Sequence, residues 1–158
     1  MLVSEILQRW GNPALEYAEE AVASRFFPGI HMAGRSEVSS IDVLAVRRSD
    51  GTPRAAISCK WSIRHDRISD PTNECTAYKA AAIQRQNVDF RYVVVTNELD
   101  SKRLEKVLSQ PCVDHLVHVH LPMIEATIGA PFRDGRSARP SSKTLDLVEL
   151  VLATNSWA

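Results

Sequence analysis

The chain has 158 residues, with 44% hydrophobic and 24% charged side chains and a formal net charge of zero, values of an ordinary folded domain rather than a disordered or fibrous chain. No apolar run approaches the ~20 residues of a membrane-spanning helix, and the opening MLVSEILQRWGNPALEYAEE lacks the basic-then-apolar order of a signal peptide, so a cytoplasmic protein is expected. Zero net charge argues against a nonspecific nucleic-acid binder that works by bulk charge, yet is compatible with a DNA enzyme whose acids offset its phosphate-binding bases.

In chain order, Asn12-Pro13 has the form of a helix cap followed by a first-turn proline. Leu15, Ala18, Val22 and Phe26 then recur at helical spacing, which predicts a first helix ended by FFPG. SSIDVLAVRR and RAAISCKWS read as two strands joined by the turn-rich link SDGTP. PTNECTAYKAAAIQRQ reads as a helix opened by Pro71 with Thr72 or Asn73 as its cap. FRYVVVTNE reads as a buried strand, DSKRLEKVLSQ as a helix and DHLVHVHLP as another strand. Beyond a linker-like loop over 131–143, KTLDLVELVLATNSW predicts a closing amphipathic helix. The order α, β, β, α, β, α, β, α places a hairpin before crossover units. It predicts an α/β fold with a mixed sheet flanked by helices, in one domain over 1–158. Cys59, Cys75 and Cys112 are odd in number and lack a CxxC pair, so buried free thiols are expected.

The chemistry concentrates around the hairpin. With its centre near Gly51, Asp42 and Lys60 stand opposite each other, and strand alternation puts Ser58 on the face of Lys60. Asp42 lies between Ile41 and Val43, an apolar setting that is costly for a lone carboxylate. An acid facing a lysine near strand ends suits metal-dependent phosphodiester hydrolysis: the acid binds Mg²⁺, and the lysine orients the attacking water. A second acid is then expected. Ser58 carries no charge, whereas Glu74 opens the following helix and can point back over the sheet, where the helix dipole favours it.

Asp42, then Ser58-x-Lys60, then thirteen residues and Glu74 resembles the PD-(D/E)xK nuclease superfamily. More narrowly it is similar to the CCGG-family type II restriction endonucleases, which carry the rearranged Ser-x-Lys-x(12–13)-Glu motif. In that branch an Arg-x-Asp-Arg cluster just beyond the lysine reads C·G pairs, and Arg64, Asp66 and Arg67 stand at those offsets. Arginine donates two bonds to guanine O6 and N7, and aspartate accepts from cytosine N4. The resemblance spans about 42–74. It implies a restriction-endonuclease-like fold and a Mg²⁺-dependent endodeoxyribonuclease that cleaves double-stranded DNA at sites with a CCGG core. Asp42 and Glu74 would hold the metal, Lys60 would act on the water and Ser58 would sit beside them. It also implies a homodimer, since a palindromic site matches two-fold symmetry, and, for a restriction–modification enzyme, leaves room for a companion methyltransferase. Superfamily members often add a first-helix glutamate to the site. Among Glu16, Glu19 and Glu20, Glu19 lies nearest the apolar stripe and is preferred. Ile41 stands where proline usually precedes the catalytic aspartate, and the chain is shorter than typical CCGG-family members.

Two other readings stand beside this one: a repair or structure-specific nuclease with little sequence preference, and an inactive module that binds CCGG. Residue by residue, plainer roles exist too. Asp42 reads also as an arginine-paired edge acid, Lys60 as a snorkelling side chain, Glu74 as a helix-start charge, and Arg64, Asp66 and Arg67 as a surface ion cluster. The basic loop with Arg133, Arg136, Arg139 and Lys143 is a phosphate-contact candidate and equally a solvated loop. His118 and His120 share a strand face but lack the third ligand that a metal site needs.

Overall fold

The segments 40–47, 53–60 and 91–96 bury side chains at consecutive rather than alternate positions, which is the mark of strands covered on both faces. The computed structural model describes residues 2–30, 40–63, 69–121 and 143–158. Its elements are α1 (Leu2–Trp10), β1 (Leu15–Val22), α2 (Ala23–Phe26), β2 (Ser40–Arg47), β3 (Pro53–Lys60), α3 (Asp70–Gln84), β4 (Arg91–Thr96), α4 (Ser101–Leu108), β5 (His115–His118), β6 (Thr144–Leu145) and α5 (Leu147–Ala153), followed by a 3₁₀ turn over Thr154–Ser156. The six strands lie in sequence order. β1–β2 and β2–β3 are antiparallel, and β3–β4, β4–β5 and β5–β6 are parallel. This is the mixed sheet flanked by helices that the element order predicts.

Two apolar layers sandwich the sheet. On one face Cys75, Tyr78 and Ala82 of α3 and Leu104 and Val107 of α4 pack with Phe27 over Leu44, Ala56, Tyr92 and Leu116. On the other, Val3 and Leu7 of α1, Leu150 of α5 and Trp157 cover Val43, Ile57, Val93 and Val117. Neighbouring positions on one strand therefore feed different layers. Among the described residues, no helix is long and apolar enough to cross a membrane.

Several elements depart from the sequence reading. Most of the expected first helix is strand β1, only its last turn is helical as α2, and a further helix, α1, precedes it. Asn12 does not cap a helix: its Oδ1 accepts from the Ala14 amide at 2.8 Å, an Asx turn that leads into the strand. The apparent helical period arises because Leu15 and Tyr17 join one core layer while Ala21 joins the other. Between them Glu20 adopts a left-handed φ of 46°, which breaks the alternation. Gly11 ends α1 where a Cβ would lie 2.5 Å from both the Leu7 carbonyl oxygen and the Tyr17 hydroxyl, too close for any side chain. The closing helix is shorter than expected, because Thr144–Leu145 first adds a strand to β5. Cys75 and Cys112 are not free thiols but a disulfide with a sequence separation of 37, joining α3 to the segment after α4, while Cys59 remains free. No local spacing signals that pair; it forms because α3 and the chain beyond α4 meet on the same sheet face.

Candidate active site

Strands β2 and β3 pair from Val43↔Ile57 inward to Ala45↔Ala55. Continued by one residue, that register sets Asp42 opposite Ser58 rather than opposite Lys60, so the lysine stands diagonal to the acid. The reason is the turn: the register shifts between Ala45 and Val46, and Val46 pairs with Pro53, so the hairpin is not centred on Gly51. The slip is by two residues and therefore preserves the face. At this end the ladder opens. The Asp42 carboxylate takes the place of a strand carbonyl and accepts the Cys59 amide at 2.7 Å. That bond fixes the acid and explains how a carboxylate beside Ile41 and Val43 is tolerated.

Glu74 reaches the same point from α3. The helix begins at Asp70, earlier than Thr72 or Asn73 as cap would have it, which puts Glu74 one turn in. The residue is 5% exposed. Its Oε2 accepts from Ser58 Oγ at 3.0 Å and from the Tyr92 hydroxyl at 2.8 Å, while Lys60 Nζ lies 3.4 Å from Oε1 and 3.9 Å from Asp42 Oδ2. Ser58 Oγ also stands 3.5 Å from Asp42 Oδ2. Asp42, Ser58, Lys60 and Glu74 thus converge on one cleft, which Tyr78 and Tyr92 back. Asp42 and Lys60 keep partly exposed side chains, so the cleft has a buried floor and an open mouth.

Tyr92 is the residue that sequence reading missed. Burial and the neighbouring Glu74 charge push its hydroxyl well above the usual tyrosine range, which keeps it a hydrogen-bond donor. Burial, and then the Asp42 charge, push the Cys59 thiol up to about 12.

Glu19 does not join this group. It pairs with Val43 across β1–β2, and cross-strand partners share a face. Val43 belongs to the layer beneath α1, whereas Asp42 alternates to the other side. Glu19 is exposed and accepts from Ser4 Oγ of α1. Because the segment is a strand, its glutamates cannot follow a helical stripe.

The proposed base readers Arg64, Asp66 and Arg67 lie outside the described residues, as do Arg133, Arg136 and Arg139. Lys143 of the basic loop donates to the Gln110 carbonyl at 3.3 Å. The chain just before Arg64 is tied down. Buried Glu98 accepts the Ile63 amide at 2.8 Å and the amides of Leu99 and Asp100 at 3.0 and 2.9 Å, and it pairs with Arg103 at 3.2 Å. Burial opposes the charge on Glu98, but these bonds hold its carboxyl below the ordinary value. His118 is buried in the same junction. Its Nε2 meets the Glu98 carbonyl at 2.9 Å, and its Nδ1 accepts from the His120 amide at 3.0 Å, so it serves as structure rather than as a ligand.

Among the described residues, no cluster of three or more His, Cys, Asp and Glu side chains could hold a metal. The pair Asp42 and Glu74 offers hard carboxylate oxygens, and Mg²⁺ typically takes only one or two carboxylates and keeps several waters. The donor chemistry therefore fits Mg²⁺. No family model matches the chain, and none of the curated proteins compared with it matches.

Proposed function

We propose that the protein is a Mg²⁺-dependent endodeoxyribonuclease of the PD-(D/E)xK kind, which hydrolyses double-stranded DNA at sites with a CCGG core. The observation that carries this is the meeting of Asp42, Ser58, Lys60 and Glu74, drawn from three elements, with Lys60 Nζ 3.4 Å from one carboxylate and 3.9 Å from the other. A mixed sheet with a hairpin followed by a helix and a parallel strand is compatible with a restriction-endonuclease-like fold.

Asp42 and Glu74 would hold the metal, which when bound supplies Lewis-acid polarisation of the phosphoryl oxygen and neutralises charge. The protein's own part is positional and electrostatic. Lys60 stands at the open side of both carboxylates, where its ammonium orients the attacking water and offsets negative charge that grows in the transition state. The Cys59 amide holds the Asp42 carboxylate, so the acid is preorganised for the metal. In-line attack on phosphorus would leave a 5′-phosphate. Arg64, Asp66 and Arg67 would read the C·G pairs through guanine O6 and N7 and cytosine N4, on a segment whose approach is anchored by Glu98. A homodimer would match the two halves of a palindrome.

The test is cleavage of a methylation-free plasmid rich in CCGG, with Mg²⁺, beside Asp42→Ala and Lys60→Ala, with the cut ends sequenced. Discrete fragments ending at CCGG, lost in both variants, are expected. Scattered ends would keep the chemistry and remove the reader. No cutting with Mg²⁺ or Mn²⁺ would sink the enzyme reading, and a gel shift on CCGG duplex would then decide for or against a binding module.

A further inference from the structure

We infer that Tyr92, together with Ser58, is a positioning residue for the metal site: the two hydroxyls clasp one oxygen of Glu74 and so aim the other at Lys60 and the cleft. The inference rests on the nuclease reading and concerns how its second carboxylate is held.

The two acids of the site are held differently. Asp42 sits on a strand, and its carboxylate is locked by a backbone amide. Glu74 comes from a helix that crosses the sheet, on a longer side chain whose terminal torsion is broad and only loosely staggered. Left to itself, that carboxylate would lose appreciable rotamer freedom on binding an ion. The structure supplies the lock on Oε2, through Ser58 Oγ at 3.0 Å and the Tyr92 hydroxyl at 2.8 Å. Lys60 approaches the other oxygen, Oε1. The division of labour is geometric: one oxygen carries the neutral donors, and the other faces the cation side of the cleft.

Tyr92 is itself held. It is fully buried, it aligns with Ala56 across the parallel β3–β4 ladder, and its ring stacks on Tyr78 at 6.2 Å between centroids. Two residues along, Ser58 extends from the same face of β3. Both hydroxyls of the clasp are therefore carried by the sheet, and the Tyr78 contact packs the Tyr92 ring against the same helix that carries Glu74. Hydrogen-bonded partners of metal ligands commonly change metal affinity 10–100-fold when removed, and a Tyr-to-Phe change deletes only the hydroxyl.

The experiment is Mn²⁺ binding to the full chain, followed by the loss of the free-ion paramagnetic resonance signal, for wild type, Asp42→Ala, Tyr92→Phe and Ser58→Ala, with circular dichroism as the check on folding. The expected result is measurable binding by wild type, none by Asp42→Ala, and at least about tenfold weaker binding by Tyr92→Phe, with Ser58→Ala weakened in the same direction. Plasmid cleavage by Tyr92→Phe should recover as Mn²⁺ is raised, which a general packing defect would not produce. Wild-type affinity in a folded Tyr92→Phe would overturn the inference while leaving the nuclease reading intact. If Tyr92→Phe does not fold, Ser58→Ala decides: unchanged affinity there overturns the clasp. Absence of Mn²⁺ binding by wild type would overturn the metal site and the clasp together.

Discussion

His118 shows how a single side chain in this fold is fixed by its bonds. Its Nδ1 is occupied as an acceptor by the His120 amide, so the ring proton sits on Nε2 and is donated to the Glu98 carbonyl. Protonating Nδ1 would break the first bond and bury a charge, and burial accordingly holds the ring's pKa below the ordinary histidine value. The unfolded chain takes up that proton near pH ~6.5, whereas the native state resists it. Stability from this group is therefore fully present above that pH and is lost as the pH falls below it toward and through the lower native value. Burial lowers His115 in the same sense. Urea denaturation should give a lower midpoint at about pH 5.5 than at about pH 7.5, and His118→Gln should reduce the difference. An unchanged difference in the variant would remove His118 as its source. At this same scale the candidate site was largely legible. Asp42, Ser58 and Lys60 lie on one hairpin, where local alternation predicts the face even with the register two residues off. Tyr92 was hidden because it meets Glu74 through a parallel crossover, whose register no short turn fixes.

Elements were legible where local chemistry and packing agree. Asp100 precedes α4 and accepts the amides of Lys102 and Arg103, so cap and helix coincide with the pattern of the sequence. Asn12 carries a similar signal, but its side chain closes an Asx turn instead, since the same short polar group serves both structures. The helical stripe read over 15–26 had no physical basis in one helix; it was the sum of two strand faces separated at Glu20 and of Phe26 in the short helix α2. The closing helix α5 offers a direct measure of what one cap contributes. Asp146 Oδ1 accepts the Glu149 amide at 2.8 Å, and the Glu149 carboxylate accepts the Asp146 amide at 2.8 Å, a reciprocal capping box. The helix has only seven residues, too few to be stable by propensity. It persists through this box and through Leu150, which is packed on the sheet. Asp146→Ala should cost about 1 kcal/mol, read as a lower urea midpoint with an unchanged slope. A cost near zero would show that packing of Leu150 and Trp157 alone sets the helix.

At the scale of the whole molecule, the Cys75–Cys112 disulfide links the helix that carries Glu74 to the chain beyond α4. The link spans the face on which the candidate site is built, and Cys75 directly follows the acid. Closing a loop with a sequence separation of 37 restricts the unfolded chain, and the chain-entropy model puts the stabilisation at about 4 kcal/mol at most. Such bonds persist in oxidising surroundings and are rare in reducing ones, so the pair also bears on the cytoplasmic setting expected from the sequence. Two measurements address it. Thiol titration of the denatured chain without reductant should find one free cysteine, Cys59; three would mean that the pair is open in the protein as isolated. Urea denaturation should then show a loss of stability of about 2–4 kcal/mol with reductant or in Cys112→Ser. If the molecule is equally stable in both states, the junction between α3 and β5 is held by its apolar contacts, Tyr78, Leu104, Val107 and Val113 among them, and the position of Glu74 then depends on packing and on its clasp rather than on a covalent tie.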